Sequence, residues 1–79
     1  MIDLHRKIRL LRETRNLKQA YLASTLGISQ RAYSDLETGK TEITITKLNK
    51  IAGAFNMLPG EIIDKPIAEL LLPVLSDLE

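Results

Sequence analysis

From Gln30 to Thr38 the chain reads QRAYSDLET, and its hydrogen-bonding side chains gather on one side of a helix. At about 100° per residue, Ala32, Tyr33 and Leu36 point one way. Arg31, Ser34, Asp35 and Thr38 point the other way, with Gln30 on the flank near the start. Guanidinium, amide, hydroxyl and carboxylate groups side by side suit hydrogen bonding to base edges. On an arbitrary amphipathic helix the same face would be solvated surface. Catalytic chemistry finds no comparable support. His5 is the only histidine and there is no cysteine, so no His/Cys ligand cluster or nucleophilic pair can be assembled. Thr38-Gly39-Lys40-Thr41 carries the letters of a phosphate loop, but the glycine required five residues before Gly39 is Ser34. Glu61 and Asp64 have no partner that would mark a hydrolytic pair. The chain does not read as an enzyme, and no cofactor, metal or small-molecule ligand is expected.

A reading face needs elements that hold it out. Gln19–Leu26 fits a short helix with Leu22, Ala23 and Leu26 on its apolar side, and Ile28, Tyr33 and Leu36 form the facing apolar set. Two helices crossing steeply at close range need a small residue between them, which Ala23 supplies. Gly27 suits the positive φ of a tight turn, and Ser29 is placed to cap the helix that follows. This is the pattern of a helix-turn-helix, whose second helix is presented to the major groove.

With its flanks, this segment resembles the Cro/C1-type (XRE) helix-turn-helix family of phage repressors and bacterial regulators. The resemblance spans about Ile8 to Ile63 and is carried by IRLLRE, LKQAYLASTLGIS, LETGK and ITKLNKIAGAF, in that order. It implies an all-α, five-helix, lambda-repressor-like domain over residues 1–65. It also implies that Gln19 clamps a phosphate and that Gln30, Arg31 and Asp35 occupy base-reading positions. Gln30 suits adenine, Arg31 suits guanine, and Asp35 can only accept a hydrogen bond or hold Arg31 in place. Ser29, Ser34 and Thr38 join the candidate DNA contacts, with Lys40 reaching a phosphate. Arg12 and Glu37 stand where the family has a structural ion pair. Tyr33 reads as core with its hydroxyl at the rim. Leu58 stands where the family usually has a capping serine.

Composition agrees with one small soluble domain. Of the 79 residues, 44% are hydrophobic and 27% charged, too apolar for a disordered chain. No signal-peptide run follows Met1, and the longest apolar stretch is interrupted by Glu69 and Pro73, so a cytoplasmic protein with no membrane span is expected. The net charge of +1 is split: residues 1–50 carry +5 and residues 51–79 carry −4. A basic front and an acidic tail suit a protein with one face toward phosphate.

The remaining elements follow from spacing. Leu4, Ile8 and Leu11 define a first helix from about Asp3 to Arg15, capped by Asp3, widened by Leu10 and stopped by Asn16. Lys40 to Ile45 looks like a strand by composition but has nothing to pair with, so a loop is expected. Thr44 caps a fourth helix carrying Leu48, Ile51, Ala52 and Phe55. A short fifth helix begins at Pro59 and buries Ile62 and Ile63. Residues 66–79 extend beyond the family core. There Ile67, Leu70, Leu71 and Val74 fit one apolar helical face, with a kink expected at Pro73. That face predicts either packing against the first and fifth helices or, preferentially, homodimerisation. Double-stranded DNA is the expected partner. The rival reading is a protein-interaction adaptor or antitoxin-like module with the same fold and little DNA binding, suggested by Asp35, Glu42 and the low net charge.

Overall fold

Apolar residues at helical spacing become six helices in the computed structural model, which describes residues 3–70. They are α1 (Leu4–Thr14), α2 (Gln19–Leu26), α3 (Gln30–Glu37), α4 (Ile45–Ala54), α5 (Pro59–Asp64) and α6 (Ile67–Leu70). No strand occurs among the described residues, and the β-branched segment before α4 is a loop. Helix α2 packs on both α3 and α4, α1 packs on α3 and α5, and α4 closes against α5. The core they enclose contains Ile8, Leu11, Leu22, Ala23, Leu26, Tyr33, Leu36, Leu48, Ile51, Ala52, Phe55 and Ile62. Each large side chain buried there contributes about 1.5–3 kcal/mol against the chain entropy given up on folding.

Four helices stop by one device. A residue with positive φ follows the last turn: Asn16 at 57°, Gly27 at 72°, Gly39 at 80° and Asn56 at 58°. The residue after each sends its N–H back along the helix, as in Leu17 to Arg12 O (3.0 Å), Ile28 to Ala23 O (3.0 Å), Lys40 to Asp35 O (2.9 Å) and Met57 to Ala52 O (2.9 Å). These are Schellman closures, which normally end on an apolar residue that folds onto the helix. Leu17, Ile28 and Met57 do so, packing on the core. At the end of α3 that place is taken by exposed Lys40. The helix that carries the candidate reading face is therefore the one whose closure lacks that apolar contact.

Gly39 is fixed twice over. Its φ of 80° disfavours any side chain, and an added Cβ would lie 3.0 Å from Cε1 of the His5 ring. At Gly27 φ is also positive, but a Cβ would meet nothing within 4 Å. Gly27→Ala should cost about 1–2 kcal/mol from backbone strain alone. Gly39→Ala should cost that and more, because His5 must also move. Urea midpoints of the two variants test this, and an equal or smaller loss at Gly39 contradicts it.

Starts are more varied. Ser29 Oγ accepts from Ala32 N–H at 3.1 Å and Thr44 Oγ1 from Lys47 N–H at 3.2 Å, as side-chain caps should. Asp3 sits at the cap position of α1, but its side chain makes no capping bond, contrary to expectation. Leu58 cannot cap α5. Instead Glu61 reaches back, Oε1 accepting from Leu58 N–H at 3.0 Å, which completes half of a capping box. That bond, then Lys65, holds the Glu61 carboxyl below its ordinary range.

Several expected placements differ. Leu10 and Ile63 are exposed rather than buried, each lying just off the face its helix turns inward. Leu70, assigned to a dimer face, is 3% exposed and joins the core of its own chain. This segment therefore packs back on the domain as far as Leu70. Leu71 and Val74, the kink at Pro73 and the side chain of Ile67 lie outside what is described.

Candidate nucleic-acid interface

The reading face is built from the inside. Tyr33 and Leu36 are buried against α1 and α2, which fixes the rotation of α3 about its axis. Gln30, Arg31 and Thr38 are consequently exposed, and Ser34 and Asp35 half-buried, on the opposite side. Not all of these groups are equally free. Ser29 Oγ is used as the cap acceptor, leaving its hydroxyl hydrogen to donate outward. Thr38 Oγ1 donates to Ser34 O at 3.2 Å, so its proton is committed to its own helix. Arg31 and Asp35 form no ion pair among the described residues, so the carboxylate does not hold the guanidinium. Lys40 projects from the turn that follows, its backbone fixed by the bond to Asp35 O.

Behind this face lies a polar junction of three elements. Arg12 on α1 grips Glu37 on α3 with two bonds, Nε to Oε2 at 2.6 Å and Nη2 to Oε1 at 3.1 Å. The remaining Nη1 donates to Leu17 O at 2.8 Å, and Gln19 Nε2 at the start of α2 donates to Glu37 Oε1 at 3.1 Å. Only 13% of the Arg12 side chain and 2% of the Glu37 side chain remain exposed. Burial by itself would raise the Glu37 pKa. The Arg12 donors, the nearby Tyr33 hydroxyl and the Gln19 amide together outweigh it, and the carboxyl is held below its ordinary value. The bond to Glu37 raises Arg12 correspondingly. The pair expected between Arg12 and Glu37 is present, with Gln19 as a third member.

Tyr33 departs from expectation. Its hydroxyl is fully buried rather than at the rim, and among the described residues it makes no well-formed hydrogen bond. Burial, then the adjacent Glu37 carboxylate, pushes its pKa far above the usual tyrosine range.

Two basic residues, Lys7 of α1 and Arg15 just after it, turn out to be internal ties. Lys7 is buried, and its Nζ donates to Ile63 O at 2.9 Å, joining α1 to the last turn of α5. Arg15 donates to Phe55 O and lies over the Phe55 ring, 5.5 Å from the centroid. With Arg12, they remove three cations from the basic front half that would otherwise face phosphate. A signal for Lys7 was present: it holds the i+3 place in the Leu4, Ile8, Leu11 stripe, an inward position. Arg15, just past the helix, gave none.

Gln19 and Gln30 meet at one shallow cleft, whose walls also include Asn16, Lys18 and Ala20. The starts of α2 and α3 thus open on the same surface, as phosphate positioning beside base reading requires. This geometry has a family. A helix-turn-helix family model matches residues 8–62, most of the chain, and the protein belongs to that family, the Cro/C1 type of DNA-binding transcription regulators. A search of curated proteins found no match. Among the described residues no helix is long and apolar enough to cross a membrane.

Proposed function

We propose that this protein is a sequence-specific transcription regulator of the repressor type. In this reading α3 enters the major groove, with Gln30 and Arg31 as the main base readers. Asp35 and Ser34 flank them, while Gln19, Ser29 and Lys40 meet phosphates. The observation that carries it is the division of α3, whose apolar residues are locked inside while Gln30 and Arg31 remain exposed and, among the described residues, uncommitted. Thr38, bonded to its own helix, is demoted to an accepting contact. A recognition helix of eight residues spans too few base pairs to address a genome, so two copies on a two-fold symmetric operator are the natural assembly. The dimer contact is assigned to the chain end, to Ile67, Leu71 and Val74, with buried Leu70 removed from that set.

Anisotropy titration against a random-sequence duplex at several salt concentrations tests the reading. The logarithm of affinity should fall linearly with that of salt, by about 0.9 for each phosphate neutralised. No affinity at about 50 mM salt, where such binding is strong, would favour the adaptor.

A further inference from the structure

Gln19 opens α2 at the surface, yet its amide is not free to turn. A carboxylate only accepts hydrogen bonds, so the Gln19 oxygen cannot face Glu37 while the nitrogen can. The 3.1 Å bond from Nε2 to Glu37 Oε1 therefore selects one of two amide orientations. Glu37 is itself immobilised by the two donors of Arg12, and Arg12 by its third bond to Leu17 O, two residues before Gln19. One Nε2 hydrogen is spent on this chain of contacts. The other remains on a half-exposed side chain that shares its cleft with Gln30.

Resting on the DNA-binding reading above, we infer that Glu37 is a positioning residue for phosphate contact. It presents the second Nε2 hydrogen of Gln19 to the DNA backbone, at a fixed distance from the base-reading side chains. The distance is fixed because Glu37 belongs to α3 itself. A slip of α2 against the recognition helix would break the 3.1 Å bond, so the phosphate donor and the base readers move as one body. Phosphate contacts set register and bases set specificity, and this carboxylate joins the two. A negative charge beneath a phosphate-binding surface would otherwise be adverse. Its two-bond pairing with Arg12 neutralises it.

The electrostatic sign makes the inference testable. Glu37→Gln raises the net charge by one unit, which alone tightens binding to any duplex. It also leaves a single side-chain oxygen, for which the charged donors of Arg12 compete with Gln19. Wild type, Gln19→Ala, Glu37→Gln and the double variant are titrated on a random-sequence duplex at several salt concentrations. The temperature is one at which circular dichroism shows all four folded. Gln19→Ala should weaken binding about three- to tenfold with little change of salt slope, since a neutral amide releases few counterions. Glu37→Gln should weaken it by a similar factor despite the added positive charge, and the double variant should be no weaker than Gln19→Ala. Tighter or unchanged binding by Glu37→Gln, or losses that multiply in the double variant, overturns the inference. Should Glu37→Gln not fold, the wild-type Gln19 side-chain amide resonances decide. One Nε2 proton should be protected from solvent exchange in the free protein and the other should shift when duplex is added, whereas two freely exchanging protons contradict it. Wild type that binds no duplex at all removes the DNA-binding reading itself and the inference with it. Wild type that binds normally while the Glu37 arms fail removes the inference alone.

Discussion

Glu37→Gln should lower the unfolding free energy by about 1–3 kcal/mol at neutral pH, among the largest losses open to a single polar substitution in this chain. The carboxylate serves three helices at once through Arg12, Gln19 and its own α3. Replacing one of its oxygens by an N–H donor sets that group against donors, leaving Arg12 poorly compensated in a site almost closed to water. The same contact fixes a pH dependence. Because the folded pKa of Glu37 lies below its unfolded value, the carboxylate's contribution is complete above the ordinary carboxyl range. It disappears as pH falls from about 4.3 through the lower folded value. Wild-type stability should decline over that window, and the difference between wild type and Glu37→Gln should shrink as it does. Chemical denaturation at a series of pH values measures both. An unchanged midpoint at neutral pH, or a difference that persists undiminished into acid, contradicts the assignment.

The fold was readable because its boundaries are made by local chemistry. Ser29, Gly27, Gly39 and Thr44 act on their own backbone neighbours, so position alone identified the turns they make. The Arg12–Glu37 pair was readable through the family's pattern and not through spacing, since the partners lie 25 residues apart. What sequence concealed were choices settled by packing between elements. Leu10 and Ile63 look like core residues by type, yet the described residues leave the sides of α1 and α5 on which they fall partly open. Lys7 reads as surface by residue type although its place in the apolar stripe points inward, and the bond from its ammonium to Ile63 O makes that burial tolerable. Gln19 looks like a simple phosphate donor in sequence, because its tie to Glu37 depends on where α3 ends relative to where α2 begins. At the reading face, side-chain types were legible and their commitments were not: Thr38 is spent on its own helix and Asp35 does not hold Arg31.

Arg31→Ala should cost about 1–3 kcal/mol per half-site on a selected operator and far less on random duplex. Arg31 lies in the first turn of α3, the part of a recognition helix nearest base edges, and is exposed with no ion pair among the described residues. Its planar fork matches the two acceptors of guanine, which no phosphate contact can imitate in sequence dependence. Lys40 offers the contrast. It follows Gly39, past the end of α3, with its backbone held by the bond to Asp35 O, and in the proposed reading its ammonium contacts the DNA backbone alone. Lys40→Ala should weaken operator and random duplex about equally and reduce the salt slope by about 0.9 for each phosphate no longer neutralised. In a dimer both effects count twice.

Selection from a random duplex pool supplies the operator, and anisotropy titration of wild type, Arg31→Ala and Lys40→Ala on operator and random DNA supplies the comparison. A groove-reading α3 predicts that Arg31→Ala compresses the ratio of operator to random affinity, while Lys40→Ala leaves that ratio unchanged and flattens the salt dependence. Equal losses on both duplexes for Arg31→Ala, or a pool from which no sequence is enriched, would contradict sequence reading by this face.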